Sequence, residues 1–289
     1  MRKVAMVTDT TACVPQEQVA RYDIEVVPVP FIIDNKTYRD GIDISPTEFY
    51  TLLRQSARIP TTSASAPEPY LEAFHKASQK ASSILCLTEP SRFSAMYNSA
   101  KVAMEMARKT LDNVVIEVVE GTTAAAGLGL VNLAAAKAAA LGRNLSEVID
   151  VAMSTMSRVY LFASLDTLNY LVKSGRVPQA AALVNSLLSI KPIFTLNHNG
   201  ARTVALPRTT ESVMKHLLKL MEPKVVRGQP LHVAVMHADA LDKAVTLKDR
   251  ITARFECPEI FITEFTPVMG VHTGPGLIGV AFYSEESPV

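Results

Sequence analysis

Ile84-Leu85-Cys86-Leu87-Thr88-Glu89-Pro90-Ser91-Arg92-Phe93-Ser94 runs straight into Ala95-Met96-Tyr97-Asn98-Ser99-Ala100. An apolar run, a polar elbow and a helical pattern follow one another without a break. Met96, Ala100, Ala103, Met104 and Ala107 keep one helical face apolar. Ser94 stands at the expected N-cap, where its hydroxyl would accept from the first free backbone N–H groups. A strand feeding a helix N-terminus collects backbone donors and the positive end of a dipole, which suits an anion or a carboxylate. The same residues also suit a plain capped helix, so the remaining sequence has to choose.

Working outward, the first half repeats this strand-to-helix unit. Val4–Val7 reads as a buried strand that ends in the polar cluster Thr8-Asp9-Thr10-Thr11, and Pro15–Arg21 as a short helix. Glu25–Ile33 reads as one long strand, with Asp34-Asn35-Lys36 as a turn and Thr37-Tyr38 returning. Ser45-Pro46-Thr47-Glu48 is a capping box with proline at the first helical position, so a helix to about Ser56 is expected. Pro60–Pro67 is rich in hydroxyls, and Ser65 with Glu68 repeats the capping-box spacing ahead of a helix to about Lys80. Val114–Val119 is a further strand, followed by an alanine-rich helix to Gly142 and another over Leu145–Ser157. Such alternation predicts an α/β fold with a mainly parallel sheet.

After about residue 158 the pattern changes. Val159–Ala163 reads as a strand, Leu165–Lys173 as a helix stopped by Ser174-Gly175, and Pro178–Leu188 as helix. Lys191–Leu196 and Arg202–Leu206 flank the hairpin turn His198-Asn199-Gly200. Glu211–Met221 and Leu241–Phe255 are helices; Leu231–Met236, Ile260–Glu264 and Leu277–Tyr283 are strands. Hairpins mixed with helices predict an α+β unit, so the expected division is residues 1–157 and 158–289.

Composition excludes several classes. Twenty-nine basic residues against 28 acidic ones leave a net charge of +1, with no basic stripe for nucleic acid. Three dispersed cysteines, Cys13, Cys86 and Cys257, read as reduced thiols of a cytoplasmic protein. No apolar stretch of about 18 residues predicts a membrane span. The glycines Gly121, Gly127 and Gly129 do not form a dinucleotide fingerprint, and close packing is the expected reason for those inside the alanine-rich helix. Phosphate-loop, hydrolase-elbow and zinc-helix motifs are missing from the sequence. His232 and His237, five apart on one strand, face opposite ways and cannot share a metal. Neither a metal nor another cofactor is expected.

The ordered motifs Val7-Thr8-Asp9-Thr10-Thr11-Ala12, Pro60-x-Thr62-Ser63, Ser91-x-x-Ser94 with Tyr97-x-Ser99-Ala100, Thr167-Leu168-x-Tyr170-Leu171 before Gly175-Arg176, Lys191-Pro192-Ile193, and His272-Thr273-Gly274-Pro275-Gly276 resemble those of the DegV family of bacterial fatty-acid-binding proteins. They span nearly the whole chain in the family's order. The resemblance implies an α/β domain followed by an α+β domain, with one acyl chain between or beneath them. It implies that Thr62 and Ser94 bind the fatty-acid carboxylate, with Ser63 and Ser91 beside them and His272 near the same headgroup. Phe93 and Met96 would shape the first part of the tail's path, and Arg176 would stand at the mouth as a partner or phosphate contact. The implied ligand is a long-chain fatty acid such as palmitate, stearate or oleate.

The implied partner is a dihydroxyacetone-kinase-like fatty acid kinase that makes acyl phosphate for phospholipid synthesis, and transient membrane contact is compatible with that role. The chain alone would not be an enzyme. Two rival readings are a phosphotransferase or hydrolase using Ser94 with His272 as base, and a regulatory module that senses a small acid. The sequence departs from the family pattern at Ala64-Ser65-Ala66, at Ala95-Met96 and at Glu120-Gly121. These departures bear on the shape of the pocket.

Overall fold

A computed structural model describes residues 2–63, 66–177, 180, 190–197 and 200–285. Its first layer is a parallel sheet in the order β2-β1-β6-β7, made of β1 (Arg2–Asp9), β2 (Glu25–Val27), β6 (Ala81–Thr88) and β7 (Val115–Glu120). Alternate side chains of the central strands leave by opposite faces, and both faces are covered. Ala5, Val7, Ile84 and Cys86 pack on Tyr70 and Phe74 of α3 (Glu68–Ser78) and on Met96, Ala100 and Met104 of α4 (Met96–Ala107). Val4, Met6, Leu85 and Leu87 pack on α5 (Ala125–Ala140) and α6 (Leu145–Arg158). Burial on both faces is why these strands read as continuous apolar runs rather than alternating ones.

The second sheet is mixed, in the order β10-β9-β8-β13-β11-β12. It comprises β8 (Tyr160–Ser164), β9 (Ile193–Asn197), β10 (Gly200–Ala205), β11 (Leu231–His237), β12 (Glu259–Glu264) and β13 (Ile278–Ser284). Among the described residues of this sheet, only the β11–β12 pair is parallel. One face carries α8 (Thr210–Met221) and α9 (Leu241–Thr252) through Val213, Leu217, Ala244 and Leu247. The other face meets α5, where Ala126, Leu130 and Ala134 join Leu161, Ala163, Ala234 and Met236 in one cluster. Helix α5 therefore runs between the two sheets. Its alanines let both sheets approach, and Gly129 is required at one contact, since a Cβ there would lie 2.6 Å from the Ala12 carbonyl oxygen.

A small antiparallel sheet, β4-β3-β5, sits beside these layers: β3 is Pro30–Ile33, β4 Lys36–Arg39 and β5 Thr61–Thr62. The strand expected over Glu25–Ile33 is thus two strands in two sheets. Pro28 cannot donate to a ladder, and at Val29 the N–H goes to the Thr10 hydroxyl while the carbonyl accepts from Asp40. The expected capping box is present on α2 (Pro46–Gln55), where Ser45 and Glu48 bond each other's backbone. Ser65 lies outside the described residues, and α3 starts after Pro67 without a side-chain cap.

Three further differences bear on the site. Helix α4 begins two residues after Ser94, with Ala95 at the N-cap. Helix α7 spans only Asn169–Ser174, shorter than the expected Leu165 start, and ends at Gly175 in the left-handed region, φ 69°. Pro267–Thr273, to which the sequence pattern assigns no element, is a helix, α10. The helix expected over Pro178–Leu188 and the turn residues His198 and Asn199 lie outside the described residues.

Candidate functional site

The carboxyl ends of parallel strands are where open α/β sheets bind ligands. Here the residues following β1 and β6, the start of α5, strand β5, helix α10 and the loop after α7 enclose a cavity of about 320 Å³ against the second sheet. Its walls divide by chemistry. Leu161, Ala163, Phe194, Leu196, Phe265 and Leu277 form an apolar length, whereas Thr62, Ser63, Glu89, Ser94, Arg176 and His272 supply the polar groups. A largely apolar pocket with a few convergent polar groups is the usual form of a small-molecule site. Ala95, before α4, and Ala124 and Ala125, at the start of α5, also line it, and neither helix has a side-chain cap hydrogen bond at its N-cap residue. Ala125 is held at φ 50°, a left-handed conformation uncommon for alanine.

Most of the expected site residues meet at this cavity. Thr62, Ser63, Phe93, Ser94, Arg176 and His272 all line it. Arg176 Nη2 donates to the Thr62 hydroxyl at 3.3 Å, and its Nη1 donates to the Ser174 carbonyl at 2.7 Å. The turn stopped by Gly175 thus aims the guanidinium at β5. His272 is partly buried, and this desolvation pushes its imidazole down to about 4, with Arg176 adding to the effect. The ring is therefore neutral at physiological pH, and its buried Nδ1 has no hydrogen-bond partner among the described residues.

Two expected residues lie elsewhere. Met96 is 1% exposed and belongs to the core between α4 and the parallel sheet, because the apolar face of the helix turns toward Ile84 and Cys86. Ser91 is exposed, and its N–H donates to Glu120 Oε1 at 2.6 Å. This gives the departure at Glu120-Gly121 a physical role: Glu120 fastens the elbow. Gly121 fits against β6, where a Cβ would lie 2.6 Å from the Thr88 carbonyl oxygen.

Sequence reasoning missed Glu89. This carboxyl is 6% exposed and lines the cavity together with Ser94, whose oxygen accepts the Met96 N–H at 3.3 Å. Burial pushes Glu89 up to about 8, with Asp9 adding to the rise, while Ser94 and Arg176 pull it back. Its position directly after an apolar parallel strand was the available signal. Behind it, Asp9 holds the β1 turn together. Its Oδ1 accepts from the Thr11 N–H at 2.9 Å and from the Thr11 hydroxyl, and its Oδ2 accepts from the Tyr70 hydroxyl at 2.7 Å. Asp9 is raised by burial against these hydrogen bonds.

The match to known proteins covers the same extent as the motifs. The family model described as the DegV family of uncharacterised proteins matches residues 3–285. The chain belongs to the DegV family. A DegV domain-containing protein of Streptomyces coelicolor is 31% identical over 98% of this chain and 99% of its own length. A DegV family protein from Thermus thermophilus, described as binding fatty acid, is similar at TM-score 0.89 and 27% identity, covering 99% of this chain and 100% of that one. A DegV lipid-binding protein from Thermotoga maritima gives a TM-score of 0.87 at 25% identity, covering 99% of this chain and 100% of that one. This DegV chain thus shares the α/β plan of its relatives. Among the described residues, no group of three or more potential ligands could hold a metal, and no helix is long and apolar enough to cross a membrane.

Proposed function

We propose that the chain binds a long-chain fatty acid, with the tail along the apolar wall and the carboxylate at the end built by Thr62, Ser94, His272 and Arg176. The observation that carries this reading is a mostly apolar cavity wall interrupted by Thr62, Ser94, Arg176 and His272, with Arg176 bonded to Thr62 and close enough to His272 to act on it. Each buried CH₂ contributes about 0.8 kcal/mol, so a sixteen-carbon chain offers on the order of 12 kcal/mol gross. The headgroup has only to be met by enough donors to offset its desolvation. Two hydroxyls, a neutral imidazole and a guanidinium are suited to that task.

In this reading residues 1–157 form the domain carrying the hydroxyls, and residues 158–289 the domain carrying Arg176 and His272. The protein acts in the cytoplasm as a carrier rather than an enzyme. It offers the carboxyl group at the Arg176 mouth to a separate dihydroxyacetone-kinase-like fatty acid kinase, which makes acyl phosphate for phospholipid synthesis. Ser94 Oγ accepts the Met96 N–H at 3.3 Å, and the buried His272 Nδ1 has no hydrogen-bond partner among the described residues, which disfavours Ser94 as a nucleophile with His272 as base.

Mass spectrometry of a solvent extract of the purified protein tests the binding step. A fatty acid in the extract, or uptake of one by stripped protein, is the expected result, and neither being seen would sink the reading. The kinase step is tested by trapping acyl phosphate with hydroxylamine. Product is expected only when chain, kinase, ATP and fatty acid are all present.

A further inference from the structure

Thr62, Arg176 and His272, which line the fatty-acid cavity, also line a second, more open recess of about 630 Å³. These residues are a wall shared by the two spaces. A headgroup bonded to them from the cavity side therefore has the recess as its neighbouring space. The recess is built by the loop between α2 and β5 and by the end of α7, and it receives Arg58, Lys173 and Arg176. Among the described residues, no aspartate or glutamate lines it.

Three cations without an acid are a local excess in a chain whose net charge is +1. Two further recesses are mixed. Asp166, Asp239, Asp242 and Glu264 stand with Lys243 in one, and Glu222 and Glu256 with Arg227 and Arg254 in the other. The Arg58 guanidinium donates to the Asn35 amide oxygen at 3.4 Å, and that of Arg176 to the neutral oxygens of Thr62 and Ser174. Among the described residues, Lys173 has no ion-pair partner. Ser56 Oγ accepts the Arg58 N–H at 3.2 Å and lies 2.8 Å from Asp34 Oδ1. The loop carrying Arg58 is thus held in place, while Asp34 itself is not part of the lining.

One cation can balance a carboxylate, and the other two need a ligand of higher charge. Phosphoryl transfer supplies it. A carboxylate oxygen attacks the terminal phosphorus of ATP, a P–O bond forms and the bond to ADP breaks. The lipid then carries a phosphoryl dianion in place of a single charge. A phosphate monoester bears about −1.5 to −2 at pH 7 and three strong acceptor oxygens. Guanidinium forks and lysine ammonium groups are the side chains that meet such a group.

Resting on the fatty-acid reading, we propose that the recess is a phosphate site, in which Arg58, Lys173 and the remaining N–H groups of Arg176 hold the phosphoryl group of an acyl phosphate whose tail stays in the cavity. Thr62 and His272 then serve the acyl oxygens on the shared wall. Arg58 and Lys173 discriminate between the two lipids: they add affinity for the phosphorylated form and none for the acid.

Dodecyl phosphate, a stable stand-in for an acyl phosphate, is titrated into stripped full-length protein, with dodecanoate in parallel. Arg58→Gln with Lys173→Gln should weaken dodecyl phosphate at least about tenfold and leave dodecanoate within about twofold. Both side chains are exposed, so the fold is not at stake. The charge-conserving pair Arg58→Lys with Lys173→Arg should keep dodecyl phosphate affinity within about threefold. Inorganic phosphate and ATP should bind the chain at least about a hundredfold more weakly than dodecyl phosphate, because neither buries a tail.

Equal losses for dodecyl phosphate and dodecanoate, or no loss for either, overturn the phosphate site. So does a charge-conserving pair as weak as the glutamine pair. Inorganic phosphate or ATP that binds as tightly as dodecyl phosphate, and is lost in the glutamine pair, assigns the recess to a free anion or a nucleotide and overturns the lipid assignment. Wild-type protein that takes up no fatty acid fails differently: the fatty-acid reading falls first, and this proposal falls with it.

Discussion

Asp40 Oδ2 accepts the Val268 N–H at 3.1 Å, joining the end of β4 to the first turn of α10, the helix that carries His272. The bond satisfies a backbone donor that the helix itself cannot. It also places a carboxyl in the interior, where burial pushes it up to about 7 from an ordinary 3.8. Between these values the folded protein keeps a proton that the unfolded chain has lost, so stability falls as pH rises from about 4 to about 7. Asp40→Asn keeps the acceptor and removes the titration. Its melting temperature relative to wild type is expected to be more favourable at pH 8 than at pH 4.5 by several degrees. A difference that does not change with pH would show that Asp40 is not held as an acid.

The clamp predicts a selective loss of headgroup affinity. Thr62→Ala with Ser94→Ala removes two hydroxyl donors from the polar end of the cavity and leaves the apolar wall intact. Hydrogen bonds to a charged group contribute about 1.5–3 kcal/mol each, so the double variant should lose fatty-acid affinity by at least tenfold. Binding of the matching alkane should hardly change. Equal losses for acid and alkane in a competition assay would mean that these hydroxyls only build the loop.

What was legible in the sequence was whatever depends on local pattern. The runs Val4–Val7 and Ile84–Leu87 marked strands buried on both faces, and the Ser45/Glu48 box marked α2. The hydroxyls of Thr62 and Ser94 were recognisable as headgroup candidates because their motifs recur in order. What was not legible depends on direction and tertiary environment. Met96 belongs to the right helix, but its side chain faces the sheet. Glu25–Ile33 looks like one strand until Pro28 and Val29 send the chain into another sheet. Helix α10 contains a glycine because it lies against α2, where a Cβ at Gly270 would come within 2.6 Å of the Phe49 ring. Glu89 reads as an ordinary surface acid, and only the surrounding turns and helices bury it.

Close packing of α5 gives a prediction whose sign runs against helix propensity. In an open helix Gly→Ala stabilises by about 1 kcal/mol. At Gly129 the new Cβ would stand 2.6 Å from the Ala12 carbonyl oxygen, a backbone atom that cannot rotate away. Gly129→Ala is therefore expected to destabilise by about 1–3 kcal/mol in urea unfolding. A stabilised variant would show that α5 and the β1 turn can separate at no cost.

A polar cluster on the second sheet, away from the cavity, predicts an acid-side effect of opposite sign to that of Asp40. His232 has its Nδ1 2.7 Å from Glu259 Oε2 and its Nε2 2.7 Å from Glu285 Oε1, and its ring stacks on Tyr283. Lys137 of α5 also reaches Glu259, so the cluster ties the buried helix to strand β12. Bonding to His232, and then to Lys137, holds Glu259 down at about 2 against the rise that burial alone would cause. The folded state therefore gives up its proton more readily than the unfolded chain, whose glutamate titrates near 4.5. The resulting stability is fully present above that value and is lost as pH falls toward about 2. Glu259→Gln should lower the melting temperature by several degrees at pH 7, with a gap to wild type that narrows below about pH 4.5. Thermal melts from neutral pH to about pH 3 check this, and a gap that stays constant or widens on acidification would refute it.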